Sequence, residues 1–302
     1  AAPPLTLGPV PHRPGPFHFR EPSMAKLFSV ASWNVEHFKD DPTGARIARV
    51  IDFVKAQDPD VFGLYEVEGA TIFNALVTKL PNYTFQITEG LETQEILVGV
   101  KKTLTAFITQ KTEFRSGTTH MRPGQLVTIT RGGDHYALLF LHLSSGSDPR
   151  GMGLRDDMLE RAFEFRKVLD ASAGANGRAN YLFLGDLNTM GLEYPFDRGI
   201  EAAIELKKWD RYAARAKIRM RRLVKTHDAS WFNGSTSSIP PSNLDHVFAS
   251  DHLKFRVFRR PADGGDAEVA VRGWVDQPTP AKKDDWIAKY SDHSLLYFEI
   301  HD

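Results

Sequence analysis

Short apolar segments that end in polar residues recur along most of the chain, and they constrain its fold more than any other feature. Nine such segments are rich in Val, Ile, Leu, Phe and Tyr, and several are bounded by Gly, Asn, Asp or Pro, as strands are. They are residues 27–35, 60–67, 83–88, 95–102, 125–131, 135–143, 180–188, 244–250 and 294–300. Apolar residues are nearly continuous in 135–143 and 294–300, which predicts strands buried on both faces.

Amphipathic stretches between these segments predict helices at 43–57, 69–80 and 153–170. Nine strands with few helices favour two sheets packed together with helices outside. There is no internal repeat, and no linker divides the chain after residue 26. Residues 1–23 contain seven prolines and no continuous apolar core, which indicates a Pro-rich disordered tail or an expression remnant, not a signal peptide.

The composition excludes several classes of protein. The chain has no cysteine, which rules out a disulfide scaffold, a zinc finger and a cysteine nucleophile, and which fits a cytoplasmic location. Apolar runs such as 136–143 are far too short to span a bilayer. Lys and Arg number 38 and Asp and Glu number 38, so the chain is not a globally basic nucleic-acid binder, although a zero sum can hide local patches.

Polar residues follow the strand segments at the points where the apolar residues stop. The residues at these ends are Asn34, Glu36, Glu66, His142, Asp186, Asn188, Asp245, His246, Asp292 and His293. Strand ends on a rigid sheet can hold a constellation of side chains in fixed geometry. Carboxylates, amides and imidazoles without thiolates suit a hard, oxygen-ligated cation, so Mg²⁺ or Mn²⁺ is the expected cofactor.

Each of these residues also has a purely structural interpretation. Asp186 and Asn188 could form an Asx turn, and Asp292 could cap a helix or a loop. A histidine in an apolar strand, such as His142, is more often a satisfied core residue than a catalyst. The structural interpretations would have to hold independently at every strand end, which favours a shared function for the set.

Six motifs in a fixed order resemble the endonuclease/exonuclease/phosphatase superfamily. The motifs are SWNVEHF at 32–38, GLYEVEG at 63–69, LHLSSG at 141–146, GDLN at 185–188, LDHVF at 244–248 and SDHSLL at 291–296. The resemblance implies an α/β (α+β) four-layer sandwich, in which two mixed, largely antiparallel sheets pack face to face with helices outside. It also implies a site at one edge between the sheets, and a single domain over residues 24–302.

The resemblance assigns expected roles to individual residues. It implies that Asn34, Glu66 and Asp292 bind the metal ion, with Glu36 as a secondary candidate. The residues expected to be catalytic are His142, Asp186, Asn188, Asp245 and His293. Asp245 is expected to orient His293, and either Asp186 or His293 could be the base. Glu95 is a looser match to a glutamate that pairs with the middle histidine in some nucleases.

A basic segment, defined as residues 207–225, lies between two of the site motifs. It contains nine Lys or Arg residues and one acidic residue, Asp210. One interpretation is an arm that grips a polyanion through Arg219, Arg221 and Arg222, with Trp209 and Tyr212 available to stack on bases. The alternative is an amphipathic helix that buries its apolar residues and exposes its charges to solvent.

Three functions remain compatible with these residues. The favoured one is metal-dependent hydrolysis of phosphodiester bonds by a nuclease acting on DNA or RNA. The second is a phosphoesterase for a small phosphorylated metabolite or a lipid headgroup, because a fold does not by itself determine a substrate. The third, a non-enzymatic interaction protein, is disfavoured because none of the six motifs has lost its polar residues.

Overall fold

The computed structural model describes residues 25–302, except residue 42 and residues 91–93, 116–117, 119–120 and 174–176. The tail expected at residues 1–23 lies outside the described residues, and the extent of the single domain stays a prediction.

The first sheet has seven strands in the order β11-β15-β1-β2-β4-β3, with β14 also pairing with β15. Its strands are β1 (Lys26–Phe38), β2 (Val61–Val67), β3 (Tyr83–Ile87), β4 (Glu95–Lys101), β11 (Lys254–Phe255), β14 (Ala270–Arg272) and β15 (Leu295–His301). β1 and β2 are parallel. Every other pairing of this sheet is antiparallel.

The second sheet has six strands in the order β5-β6-β7-β8-β10-β9. Its strands are β5 (Thr105–Lys111), β6 (Gly124–Arg131), β7 (Asp134–His142), β8 (Asn180–Asp186), β9 (Met220–Arg222) and β10 (Asp245–Ser250). β7 and β8 are parallel, and the remaining pairs are antiparallel. A separate hairpin is formed by β12 (Phe258–Arg259) and β13 (Asp266–Ala267).

Helices cover the outer face of each sheet. They are α1 (Ala45–Gln57), α2 (Ala70–Lys79), α3 (Pro149–Ser172), α4 (Ala202–Ala213) and α5 (Pro280–Lys289). Short 3-10 turns occupy Thr112–Arg115 and Trp274–Asp276. Within the described part of the chain, no helix combines the length and the apolar character needed to cross a membrane.

Alternating side chains divide the core into three apolar layers. Leu182 and Leu184 of β8 point into the layer between the sheets, whereas Tyr181 and Phe183 face α3 and α4. A third layer packs α1, α2 and α5 against the first sheet. Because both faces of the central strands are buried, their sequences contain nearly continuous apolar runs.

The four-layer sandwich predicted from the sequence is confirmed. All nine predicted strands and three predicted helices are present, with ends shifted by a few residues. α5, β5 and the short strands β9 and β11 to β14 were not predicted from the sequence. α4 overlaps the first part of the basic segment, where an amphipathic helix was the alternative interpretation, and it buries Leu206, Trp209 and Tyr212.

Candidate active site

The two parallel strand pairs bring the ends of four strands to one edge of the sandwich. β1 and β2 deliver Asn34 and Glu66 from the first sheet, and β7 and β8 deliver His142 and Asp186 from the second. β10 runs antiparallel to β8, so its first residue, Asp245, pairs directly with Asp186. The topology therefore gathers side chains that are far apart in sequence.

His293 and Asp245 form a buried hydrogen-bonded pair at this edge. Nδ1 of His293 lies 2.8 Å from Oδ2 of Asp245, and its Nε2 lies 3.8 Å from Oδ2 of Asp186. Burial alone would lower the pKa of His293, but the charges of Asp245 and Asp186 outweigh it and raise the pKa to about 10. The indole of Trp33 donates to the main-chain oxygen of His293 at 2.9 Å, which ties the histidine to β1.

Asn34 links the carboxylates of the two sheets. Its Nδ2 donates to Oε1 of Glu66 at 3.0 Å and to Oδ2 of Asp186 at 2.9 Å. Burial raises the pKa of Asp186 to about 7, against the opposing charge of His293. The main-chain N–H of Asn188 donates to Oδ1 of Asp186 at 3.1 Å, so both oxygens of this carboxylate are fixed in direction.

His142 lies across the carboxylates from Asn34. Its Nε2 lies 3.6 Å from Oδ2 of Asp186 and 3.8 Å from Oε1 of Glu66. Its Nδ1 is buried without a hydrogen-bond partner among the described residues. Burial holds the pKa of His142 well below its usual value, so the site contains two histidines with opposite preferences for a proton.

The backbone at the site adopts unusual conformations. Glu36, His37, Glu66 and Asn188 have φ values of 39°, 45°, 61° and 48°, in the left-handed region. Non-glycine residues are uncommon there, and such outliers concentrate at functional sites. Gly185, which precedes Asp186, has φ of 142°, and an added Cβ would lie 1.9 Å from the oxygen of Leu141. Only glycine fits this close approach of β8 to β7.

A cavity of about 730 Å³ opens over these side chains. Glu36, Glu66, Asp292, His142 and His293 all line it. The pKa of Glu36 is raised by burial and by the charge of Asp292, and the pKa of Asp292 is raised by burial and by the charge of Glu66. Acidic neighbours therefore add to the effect of burial at both carboxyl groups, and the charge of a divalent cation bound here would oppose it.

Two groups of residues could hold that cation. Asn34, Glu66 and Asp292 offer the oxygen donors that Mg²⁺ and Mn²⁺ prefer. Asp186, Asp245 and His293 also offer ligand atoms that lie within 4.8 Å of one another. In the second group the ring of His293 already bonds Asp245, as in a pair that orients an imidazole.

The sequence of the chain matches the model of one family, described as the endonuclease/exonuclease/phosphatase family, over residues 31–293. The chain belongs to the endonuclease/exonuclease/phosphatase family. Members of this family hydrolyse phosphodiester bonds with a divalent metal ion, which confirms the predicted class of reaction. None of the curated proteins matches this chain.

Solved structures of the same family share the fold. TDP2 from C. elegans superposes with a TM-score of 0.63 at 17% identity, over 91% of this chain and 75% of that one. D. rerio TDP2 complexed with single-strand DNA product gives a TM-score of 0.58 at 17% identity, with 91% and 99% coverage. An endonuclease/exonuclease/phosphatase protein from Bacteroides vulgatus gives a TM-score of 0.58 at 14% identity, with 91% and 98% coverage.

Four residues selected from the sequence lie away from the cavity or lack the expected contact. Glu95 is buried and bonds the hydroxyl of Thr88, and it makes no ion pair with His142. Arg219, Arg221 and Arg222 do not line the cavity, so this cavity gives no support to their contact with substrate, which stays a prediction. β9 pairs with Phe248–Ser250, the end of β10 away from Asp245.

The three arginines of the basic segment form ion pairs with acidic residues of the protein itself. Arg219, Arg221 and Arg222 pair with Asp170, Glu268 and Asp210 at 3.0, 2.6 and 2.8 Å. The two aromatic residues expected to stack on bases, Trp209 and Tyr212, are buried against Phe163 of α3. Burial of these rings leaves no exposed face for a base.

Several residues at the site were missed by the sequence analysis. Nε2 of Gln94 donates to Oε2 of Glu66 at 3.3 Å, and the guanidinium of Arg122 donates to the main-chain oxygen of Gln94 at 2.6 Å. The indole of Trp231 donates to Oδ2 of Asp292 at 2.6 Å. These residues approach from loops, and no spacing in the sequence connects them to the strand ends.

Proposed function

We propose that this chain is a nuclease that cleaves phosphodiester bonds of DNA or RNA with Mg²⁺ or Mn²⁺. The observation that carries the proposal is the buried Asp245–His293 pair, which faces Asp186 at 3.8 Å across the floor of an open cavity. A water or a phosphoryl oxygen placed between Nε2 of His293 and Oδ2 of Asp186 would meet both groups. Asp186, whose pKa is raised to about 7, can then accept the water proton, whereas His293, whose pKa is raised to about 10, carries a proton and can donate it to a phosphoryl oxygen.

Asp245 fixes the ring of His293 and stabilises its charged form. Asn188 is held in place because its Nδ2 donates to the main-chain oxygen of Leu143 at 3.1 Å. Nε2 of His142 also faces Oδ2 of Asp186, at 3.6 Å, and its neutral imidazole can form a hydrogen bond with the leaving-group oxygen. Together these residues would orient the phosphate, accept a proton from the attacking water and supply a proton to the leaving group.

Asn34, Glu66 and Asp292 would hold the cation, with Glu36 close by. When bound, the cation would neutralise the phosphoryl oxygens and the developing charge on the leaving oxygen. The raised pKa values of Asp292 and Glu36, to which acidic neighbours contribute, support this assignment.

Nucleic acid is favoured as the substrate by the D. rerio TDP2 structure, whose single-strand DNA product was bound to the same fold. The cavity here is open and large enough for more than a phosphate group. Arg122, Ser145, Ser147 and Asn243 offer polar groups along its wall. The cytoplasmic location favoured by the lack of cysteine stays a prediction.

The proposal is tested by measuring cleavage of single-stranded and double-stranded oligonucleotides beside a panel of small phosphate monoesters. Activity should disappear in excess chelator and return with Mg²⁺ or Mn²⁺. Glu66→Ala should lower kcat/KM for oligonucleotides roughly 100-fold or more, because a lost metal ligand removes several kcal/mol of transition-state stabilisation.

The matched control is Glu113→Ala, which removes an exposed glutamate that pairs with Lys111 and does not line the cavity. This variant should keep full activity. Turnover that continues in excess chelator would reject the metal assignment. Hydrolysis of monoesters without cleavage of any oligonucleotide would instead support the small-substrate phosphoesterase.

A further inference from the structure

A loop beside the cavity carries two exposed aromatic rings. We call residues 189–201, between Asn188 and α4, the aromatic loop. Leu192 and Ile200 exchange two main-chain hydrogen bonds of 2.7 Å, which close the loop at its base. Beyond this closure Tyr194 is 45% exposed and Phe196 is 85% exposed. The two rings contact each other, with centroids 5.8 Å apart and planes at 77°.

A buried ion pair anchors the aromatic loop. Arg155 of α3 and Glu205 of α4 are fully buried and meet at 3.1 Å. Arg155 donates to the main-chain oxygen of Gly191 at 2.9 Å, and Glu205 accepts from the N–H of Gly191 at 2.7 Å. Arg155 also donates to the oxygen of Gly146, in the loop after His142. Buried ion pairs contribute little net stability. The role of the Arg155–Glu205 pair is therefore to hold Gly191 of the aromatic loop and Gly146 of the loop after His142 in place.

The aromatic loop borders the catalytic cavity, although neither ring is among the residues that line it. Met190 and Glu193 of this loop, and Ala202, the first residue of α4, line the same cavity as Asp186 and His293. Phe196 follows Glu193 by three residues, so their Cα atoms are at most roughly 10 Å apart. A polynucleotide whose phosphate lies at His293 would pass this loop with a neighbouring nucleotide.

We propose that Phe196, supported edge-on by Tyr194, stacks on an unpaired base next to the phosphate that is cleaved. This inference rests on the proposed nuclease function and adds the substrate class, which is single-stranded or locally unpaired nucleic acid. In a paired duplex the faces of the bases are covered by their neighbours. An exposed aromatic ring accepts any base, because every base has a π face.

The charges of the aromatic loop favour a base over a lipid surface. Glu193, Asp197 and Glu201 outnumber the single cation Arg198. This net negative charge repels both a phosphate backbone and an anionic membrane. The uncharged face of a base is not repelled by this negative charge. The phosphate backbone would therefore lie on the side of the cavity that carries Arg122, and the base would lie on the ring of Phe196.

The test compares Phe196→Ala with the wild-type protein on two oligonucleotides of equal length. One is an ordinary single strand, and the other carries abasic residues around the cleaved bond. Loss of one stack should lower kcat/KM on the ordinary strand roughly 5- to 150-fold, and should leave cleavage of the abasic strand unchanged. Phe196→Trp should restore cleavage of the ordinary strand.

The matched control is Phe107→Ala. Phe107 is 71% exposed on the edge strand β5 and does not line the catalytic cavity. The Phe107→Ala variant should cleave both oligonucleotides as fast as the wild-type protein does. An equal loss on both strands with Phe196→Ala, or no loss on either, would overturn the stacking role.

Two further outcomes separate this inference from its alternatives. If the wild-type protein cleaves no oligonucleotide, the proposed function fails and the stacking role fails with it. If Phe196→Ala cleaves normally but loses binding to phosphatidylcholine vesicles, the aromatic loop contacts lipid and the base-stacking role is wrong.

Discussion

The active-site edge and the basic segment differ in whether their charged side chains have partners of opposite charge. At the active-site edge, Glu36, Asp186 and Asp292 are crowded together, and burial and neighbouring charges raise their pKa values. In the basic segment, Arg221 pairs with Glu268, outside the segment, and Arg222 pairs with Asp210, the one acidic residue of the segment itself. Only the basic segment is a run of charges in the sequence, and there the fold supplies ionic partners, whereas at the active-site edge the fold brings together carboxylates that are far apart in sequence.

The comparison shows that uncompensated charge marks the site better than a high count of charges does. Paired ions at a protein surface contribute little energy and offer little attraction to a ligand. Buried like charges raise the free energy of the folded state, and they persist where a cation or a substrate compensates for them. This difference predicts that substitutions in the two regions will have effects of different size.

The largest effect is expected from breaking the Asp245–His293 pair. His293→Ala and Asp245→Ala should each lower kcat roughly 10²- to 10⁴-fold, because the pair acts as one proton-transfer unit. The double variant should lose little more than either single variant, since residues acting as a unit give non-additive losses. A double-mutant cycle on a small activated phosphodiester measures this directly.

The control for this cycle is His301→Ala, which removes a histidine paired with Glu299 at 3.3 Å on β15. It should leave kcat unchanged. Strictly additive losses for His293 and Asp245 would show that the two residues act separately, despite their hydrogen bond.

An intermediate effect is expected at Lys225, which connects the two regions. This last residue of the basic segment is buried, and its Nζ donates to Oδ1 of Asn243 at 2.6 Å and to the main-chain oxygen of Asp245 at 2.8 Å. Burial lowers its pKa from 10.5 to about 7. Between these pH values the unfolded chain binds a proton that the folded chain does not, so stability falls as the pH falls.

The free energy of unfolding of the wild type relative to Lys225→Met should therefore rise with pH above 7, by roughly 1.4 kcal/mol per pH unit. Denaturant unfolding at several pH values measures this slope. Lys167→Met, at an exposed lysine of α3, should give a difference independent of pH. A flat difference for Lys225 as well would show that this lysine stays charged in the folded protein.

The smallest effects are expected from Arg221→Ala and Arg222→Ala. Each should lower the free energy of unfolding by about 1 kcal/mol or less, because partly exposed ion pairs contribute little. The dependence of oligonucleotide binding on salt should stay unchanged. Arg122→Ala, which removes a cation from the cavity wall, should reduce the salt slope by roughly one. An equal reduction with Arg221→Ala would restore the basic segment as a binding surface.

The sequence was sufficient to predict the strands whose side chains are apolar on both faces. β7 and β8 are buried throughout their middle, so tertiary packing and local pattern agree. β5 was missed because residues 105–111 are largely exposed and mix Thr, Gln and Lys with few apolar residues. For α5 the signals were present, since Thr279 caps its first turn and Pro280 is its first residue.

The site was predictable only where its residues lie at either end of a strand. Asn34, Glu66, Asp186 and Asp245 converge because parallel and antiparallel pairings place those strand ends at one edge. Gln94, Trp231 and the aromatic loop reach the cavity through loops, whose paths depend on tertiary contacts. The basic segment suggested a surface for a polyanion because the sequence shows how many charges it has but not which acidic residues pair with them.

The left-handed backbone at Glu36, Glu66 and Asn188 has a consequence for engineering this protein. Left-handed φ values cost a non-glycine residue roughly 1 to 2 kcal/mol each, and glycine would relieve that strain. A selection for heat resistance alone would favour glycine at these positions and would discard the carboxylates and the amide with them. The most stable relative of this chain would then be an inactive one, so its catalytic edge limits how thermostable an active version can become.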